Sequence, residues 1–143
     1  MQITFRRRRP PHQRNGVVLV EAAMVLPLFF MVLLGIIEFG RAMMVGQMLT
    51  TAARDAGRVA ILAGSTDADV TSAVTDFLES AVGVAPDDVS VTITVNAGGT
   101  LAGASSGDVC TVLIDLPFDK VSFIPGDYLN GQSLQGRCTM RHL

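Results

Sequence analysis

Apolar residues run along this 143-residue chain in three successive rhythms, each predicting a different element. From Val17 to Ile37 every position except Glu21 is uncharged and overwhelmingly apolar. Val45, Met48, Leu49, Ala52, Ala56 and Val59 then recur at spacings of three and four, an amphipathic stripe that leaves Arg54, Asp55 and Arg58 on other faces. One helix from about Val17 to Leu62 is predicted, with Pro27 removing one backbone hydrogen bond inside it. Gly64 and Ser65 stop it, and Thr66-Asp-Ala-Asp69 has the layout of a capping box. Val70, Ala73, Val74, Phe77 and Ala81 predict a shorter helix over about 67–82.

Past Pro86-Asp-Asp88 the rhythm drops to two. Val89, Val91, Ile93 and Val95 alternate with polar residues and predict a half-buried strand. Residues 96–108, rich in Gly, Ala and Ser, are expected to be a mobile connecting loop. Cys110, Val112, Ile114 and Leu116 share one face of a second strand, and 134–140 form a third. Between them Phe118, Val121, Phe123 and Ile124 are expected to tuck back on the sheet as a flap. The order predicts an α+β fold: a long N-terminal helix, a short second helix and a small antiparallel sheet of about three strands packed on the second half of the long helix.

The first rhythm is also a membrane signal. At about 1.5 Å per residue, Val17 to Ile37 is long enough for the roughly 30 Å hydrocarbon core of a bilayer. Arg6 to Arg9 and Arg14 precede the run, whereas only Arg41 follows closely, so the positive-inside rule places the N-terminus in the cytoplasm. Residues 1–16 are then a basic cytoplasmic leader, 17–40 the transmembrane part of the helix and 41–143 an extracytoplasmic domain. Glu38 and Arg41, three apart, are expected to mark the outer membrane boundary and to pair there as an exposed couple. A secretory signal peptide fits less well, because its apolar core is usually shorter and carries no acid. Glu21 itself needs explaining, since an ionised group deep in a membrane helix costs about 2.5 to 3.5 kcal/mol unless it finds a partner or the interface.

Gly16-Val-Val-Leu-Val-Glu21 resembles the cleavage and assembly signature of type IV prepilins. The longer stretch from Arg14 to Pro27, with Gly35-Ile-Ile-Glu-Phe-Gly-Arg41 and Ala52-Ala-Arg-Asp-Ala-Gly-Arg58, is similar to the TadE-like minor pseudopilins of tight-adherence pilus systems. Ala22 follows the glutamate where Flp-type major pilins usually carry Tyr and many TadE-like proteins carry Phe. The resemblance implies removal of the leader between Gly16 and Val17 by a prepilin peptidase. It implies retention in the bacterial inner membrane and packing of the long helix against other pilin or pseudopilin subunits. Glu21 would then neutralise the new N-terminal amine of a neighbouring subunit. The competing reading is an uncleaved type II single-pass membrane protein whose outer domain binds a ligand or surface.

The remaining chemistry narrows the choice. Five arginines and no acid lie in residues 1–16, so the cleaved chain would carry six basic residues against 13 acidic ones, a formal charge of −7. That argues against a nucleic-acid partner. Cys110 and Cys138 fall on the apolar alternation of their strands, where antiparallel pairing would bring them together. A disulfide is the expectation outside the cytoplasm, and two buried thiols are the alternative. Two cysteines with His12 and His142 at opposite chain ends make a poor metal set. Asp87 and Asp88 read as turn residues, and no Ser, His and Asp set stands in a motif context. No enzyme and no cofactor are expected.

Overall fold

The computed structural model describes residues 13–96, 99–123, 129 and 131–142. The chain divides into two compact units, Met1–Ile36 and Ile37–Leu143. Helix α1 is Gln13–Ala60 and runs unbroken through Pro27. The first unit holds the N-terminal part of this helix and, among the described residues, nothing else.

The second unit holds the rest. Helix α2, Asp67–Val82, opens on the expected capping box: Thr66 Oγ1 accepts from the Asp69 amide, and the Thr66 amide donates to Asp69 Oδ2 at 2.9 Å. These bonds to the Asp69 carboxylate, the backbone one foremost, hold its pKa below the ordinary 3.8. Gly83, at φ 75°, closes the helix in the left-handed conformation that glycine adopts without strain. Strands β1 (Ser90–Val95), β2 (Val109–Pro117) and β3 (Ser133–Arg141) form an antiparallel sheet in that order. The fold is α+β, as the alternation of rhythms predicts.

The core lies between the second half of α1, α2 and one face of the sheet. Val45, Leu49, Ala52 and Ala56 of the predicted stripe are buried, joined by Ala53 and Ala60, while Met48 and Val59 are half-buried at its edge. Facing them are Cys110, Val112, Ile114 and Leu116, the whole inward alternation of β2. From α2 the core takes Val70, Val74 and Leu78. Leu78 joins the buried stripe at 70 and 74 in place of Ala81, which is exposed, while Ala73 and Phe77 are half-buried at the edge of the stripe, Phe77 packing against the core.

Small residues let the layers approach. Gly136, opposite Ile114 in the sheet, lies so close to α1 that a Cβ there would stand 2.3 Å from the Leu49 carbonyl oxygen. At Gly57 of α1 a Cβ would meet Cys138 Sγ and Met140 Sδ, each at 3.3 Å. Helix and sheet are therefore in near-backbone contact at Gly136, a position no larger side chain can share.

Two expectations need correction. Of the 96–108 segment, the described residues 96 and 99–108 are not a free connector: Leu101 is buried in the core, its amide donates to Asp67 Oδ1 at 3.3 Å, and Asn96 is tied to Asp108 and the Val109 amide. Apolar burial and side-chain caps hold these residues, although the composition carries no period. The disulfide is not formed either. Cys110 pairs in register with Met140, and Cys138 with Val112, so the two cysteines are diagonal neighbours and both are free thiols. Such diagonal positions are about 7 to 8 Å apart, beyond the reach of a bridge without backbone movement.

Candidate functional site

In the first unit, the residues singled out by sequence lie along one exposed helix. Gly16 is exposed, with open space where a Cβ would be, and Val17 and Glu21 are exposed one and five residues on. Every large apolar side chain from residue 17 to residue 37 is exposed, by 38% at the least. A stretch of mean hydropathy 2.7 with none of its window buried is long and apolar enough to cross a membrane. In water such a surface would be a severe liability; against lipid or other apolar helices it is the part that binds.

In the second unit the sequence-predicted pair of Glu38 and Arg41 takes a different form. Glu38 is 1% exposed and thus buried, where an exposed boundary residue was expected. The Ser122 hydroxyl donates to its Oε1, and its Oε2 is buried with no hydrogen-bond partner. Arg41 donates through Nε to the Val121 carbonyl at 2.6 Å, and its guanidinium carbon stands 4.0 Å from the centroid of the Phe123 ring. Among the described residues the ion pairs are Arg58 with Asp55 and Lys120 with Asp88, so Glu38 and Arg41 do not pair with each other. Both reach instead to residues 121–123, across 80 or more positions of sequence.

Sequence reasoning missed this cluster although a signal for it existed. The buried stripe of α1 extends backward from Leu49 and Val45 by helical steps to half-buried Ala42 and then to Glu38. Charge overrode period in the prediction, because an unpaired acid is rarely buried. The flap residues divide accordingly: Phe118 and Val121 are buried, Phe123 is 67% exposed, and Ile124 lies outside the described residues.

Beside this cluster a groove of about 470 Å³ opens between α1 and the start of β3. Phe39, Ala42 and Met43 form one wall and Phe118, Leu129 and Leu134 the other, with Gln47, Gln132 and Ser133 among the polar residues of its rim. Among the described residues no carboxylate, imidazole, thiol or amine lines it, and the described lining suits an apolar chain. Among the described residues no group of three or more His, Cys, Asp or Glu is placed to hold a metal. Burial first, and the nearby Asp108 charge second, push the Cys110 thiol above its ordinary pKa, the reverse of what a reactive thiolate requires.

No curated protein and no solved structure matches the chain. A family model does match, and its span, residues 16–58, opens at Gly16, takes in the apolar run and the Glu38 and Arg41 turn, and ends within the buried stripe of α1. That model describes the TadE-like proteins, so residues 16–58 are similar to that family, as the stretch from Gly16 to Arg58 implied.

Proposed function

We propose that the chain is a minor pilin-like subunit, anchored in the bacterial inner membrane and acting in assembly of a tight-adherence pilus or a related secretion machine. The observation that carries this reading is a helix exposed along its whole apolar run, opening at the glycine where the TadE-like match begins. A membrane-anchored, pilus-associated protein fits that helix and that family. In the finer reading a prepilin peptidase cuts between Gly16 and Val17, the N-terminus faces the cytoplasm and residues 41–143 fold outside. Cleavage creates an ammonium at Val17. Glu21 on the same exposed helix can then neutralise that of a neighbouring subunit, which makes a carboxylate tolerable in an apolar setting. Partners in this reading are other pilin or pseudopilin subunits, through α1, and the peptidase.

Intact mass of the protein extracted from membranes of a host carrying the peptidase tests the reading. The expected chain starts at Val17, and Gly16→Arg accumulates the longer form. A native chain that retains Met1 would instead support an uncleaved single-pass protein with a binding domain. Glu21→Ala should leave cleavage intact and weaken crosslinking to partner pilins; undiminished crosslinking would remove Glu21 from assembly.

A further inference from the structure

We infer that Phe123, with Phe39 and Met43 at neighbouring levels of α1, forms an apolar collar that enters the interfacial layer of the bilayer leaflet facing the folded unit. The inference rests on the reading of α1 as a membrane span and adds a second, peripheral contact to it. Phe123 is an aromatic ring left 67% exposed, and Phe39 and Met43 are 60% and 68% exposed on α1. Isolated exposure of this kind is ordinary; what matters is where it falls.

Three contacts fix the level of the 121–123 segment on the helix. Ser122 bonds to Glu38, the Val121 carbonyl accepts from Arg41, and the Phe123 ring lies against the Arg41 guanidinium. Glu38 and Arg41 are the first charged residues after the apolar run, so Phe123 is held level with the residues at which the hydrocarbon layer must give way to headgroups. An aromatic ring capped by a guanidinium suits that layer, with the ring in the acyl boundary and the cation among phosphates. The apolar groove lined by Phe39, Ala42, Met43, Phe118, Leu129 and Leu134 draws on the same turns of α1. In the sequence the apolar run from Val17 to Ile37 ends immediately before Glu38, and that adjacency along the chain selects lipid as the occupant.

The chain contains no tryptophan, so single replacements report cleanly. The full chain would be reconstituted in vesicles of phosphatidylglycerol and phosphatidylethanolamine carrying phosphatidylcholine brominated near the glycerol or near the chain ends. Phe123→Trp should lose emission mainly to the shallow bromines, and Val32→Trp mainly to the deep ones. Leu62→Trp, just past the end of α1 and about 30 Å by helical rise beyond the level of Arg41, should lose emission to neither. Met43→Trp, at the level of Phe123 on α1, gives an independent reading if Phe123→Trp disturbs the loop, and shallow quenching is expected there too. Phe123→Trp and Met43→Trp unquenched while Val32→Trp is quenched would overturn the collar and leave the span standing. If Val32→Trp is unquenched as well, the span fails with it.

Discussion

Gly136 is the position where a single methyl group should do most damage to the folded unit. Its ideal Cβ would lie 2.3 Å from the Leu49 carbonyl oxygen, 2.4 Å from the carbonyl carbon and 2.9 Å from Leu49 Cβ. Reaching an ordinary contact of 3.4 Å requires β3 and α1 to part by about 1.1 Å. The flanking core residues Leu49, Ile114 and Ala53 are fully buried and close-packed, so the gap cannot be absorbed locally. Overpacking of this kind costs about 1 to 3 kcal/mol, and a backbone obstacle belongs at or above the top of that range. At about 4 °C or more per kcal/mol for a domain of this size, Gly136→Ala should lower Tm by more than about 10 °C. Circular dichroism of the full chain in detergent, melted beside wild type, is the assay. Gly103→Ala, with open space around its Cβ, is the control and should move stability by no more than about 0.5 kcal/mol. Adding Leu49→Ala to Gly136→Ala should give no rescue, because the clash is with backbone atoms and a Cβ that alanine keeps. A Gly136→Ala protein melting within a degree or two of wild type, or rescue by Leu49→Ala, would refute the close-approach argument.

Three further outcomes follow from the same geometry. Arg41→Ala removes a charged hydrogen bond to the Val121 carbonyl and the contact with Phe123, together about 2 kcal/mol, and should raise amide exchange over residues 118–123 by more than tenfold; unchanged exchange would show the clamp to be idle. Asp69 is held below its ordinary pKa of 3.8, so its cap contributes fully above that value and is lost as pH falls through the folded-state pKa. Exchange at the first turn of α2 should therefore quicken in acid, Asp69→Asn should abolish that dependence, and identical acid profiles would contradict it. Both thiols should be countable in unfolded, unreduced protein, and in the native state half-buried Cys138 should alkylate well before buried Cys110, whose pKa is raised; a count of zero would mean that the sheet register is not the one described.

Much of this molecule was legible because its sequence repeats itself locally. The runs at 17–37 and 45–59, the Thr66 to Asp69 box and the alternation from Cys110 to Leu116 each carry a period or a cap, and period depends only on how successive side chains leave a helix or strand. From these came α1, α2, the strands, the α+β class and a helix able to cross a bilayer, while the motif from Gly16 to Arg58 carried the similarity to the TadE-like proteins. What pairs with what was decided elsewhere. Glu38 has a charge that argues for solvent, yet the packing of residues 121–123 on α1 buries it against Ser122. Cys110 and Cys138 share an alternation, but a register two residues out of step separates them, and no property of either strand alone sets that offset. Leu101 lies in a stretch without pattern and is buried because the core has room for it. Periodicity and motif are properties of neighbours in the chain, so the sequence alone determined elements, membrane capacity and the family similarity of residues 16–58. Register, close approach and the environment of a charge belong to residues 80 or more positions apart, and only the tertiary structure, through the fit of one layer against another, decided those.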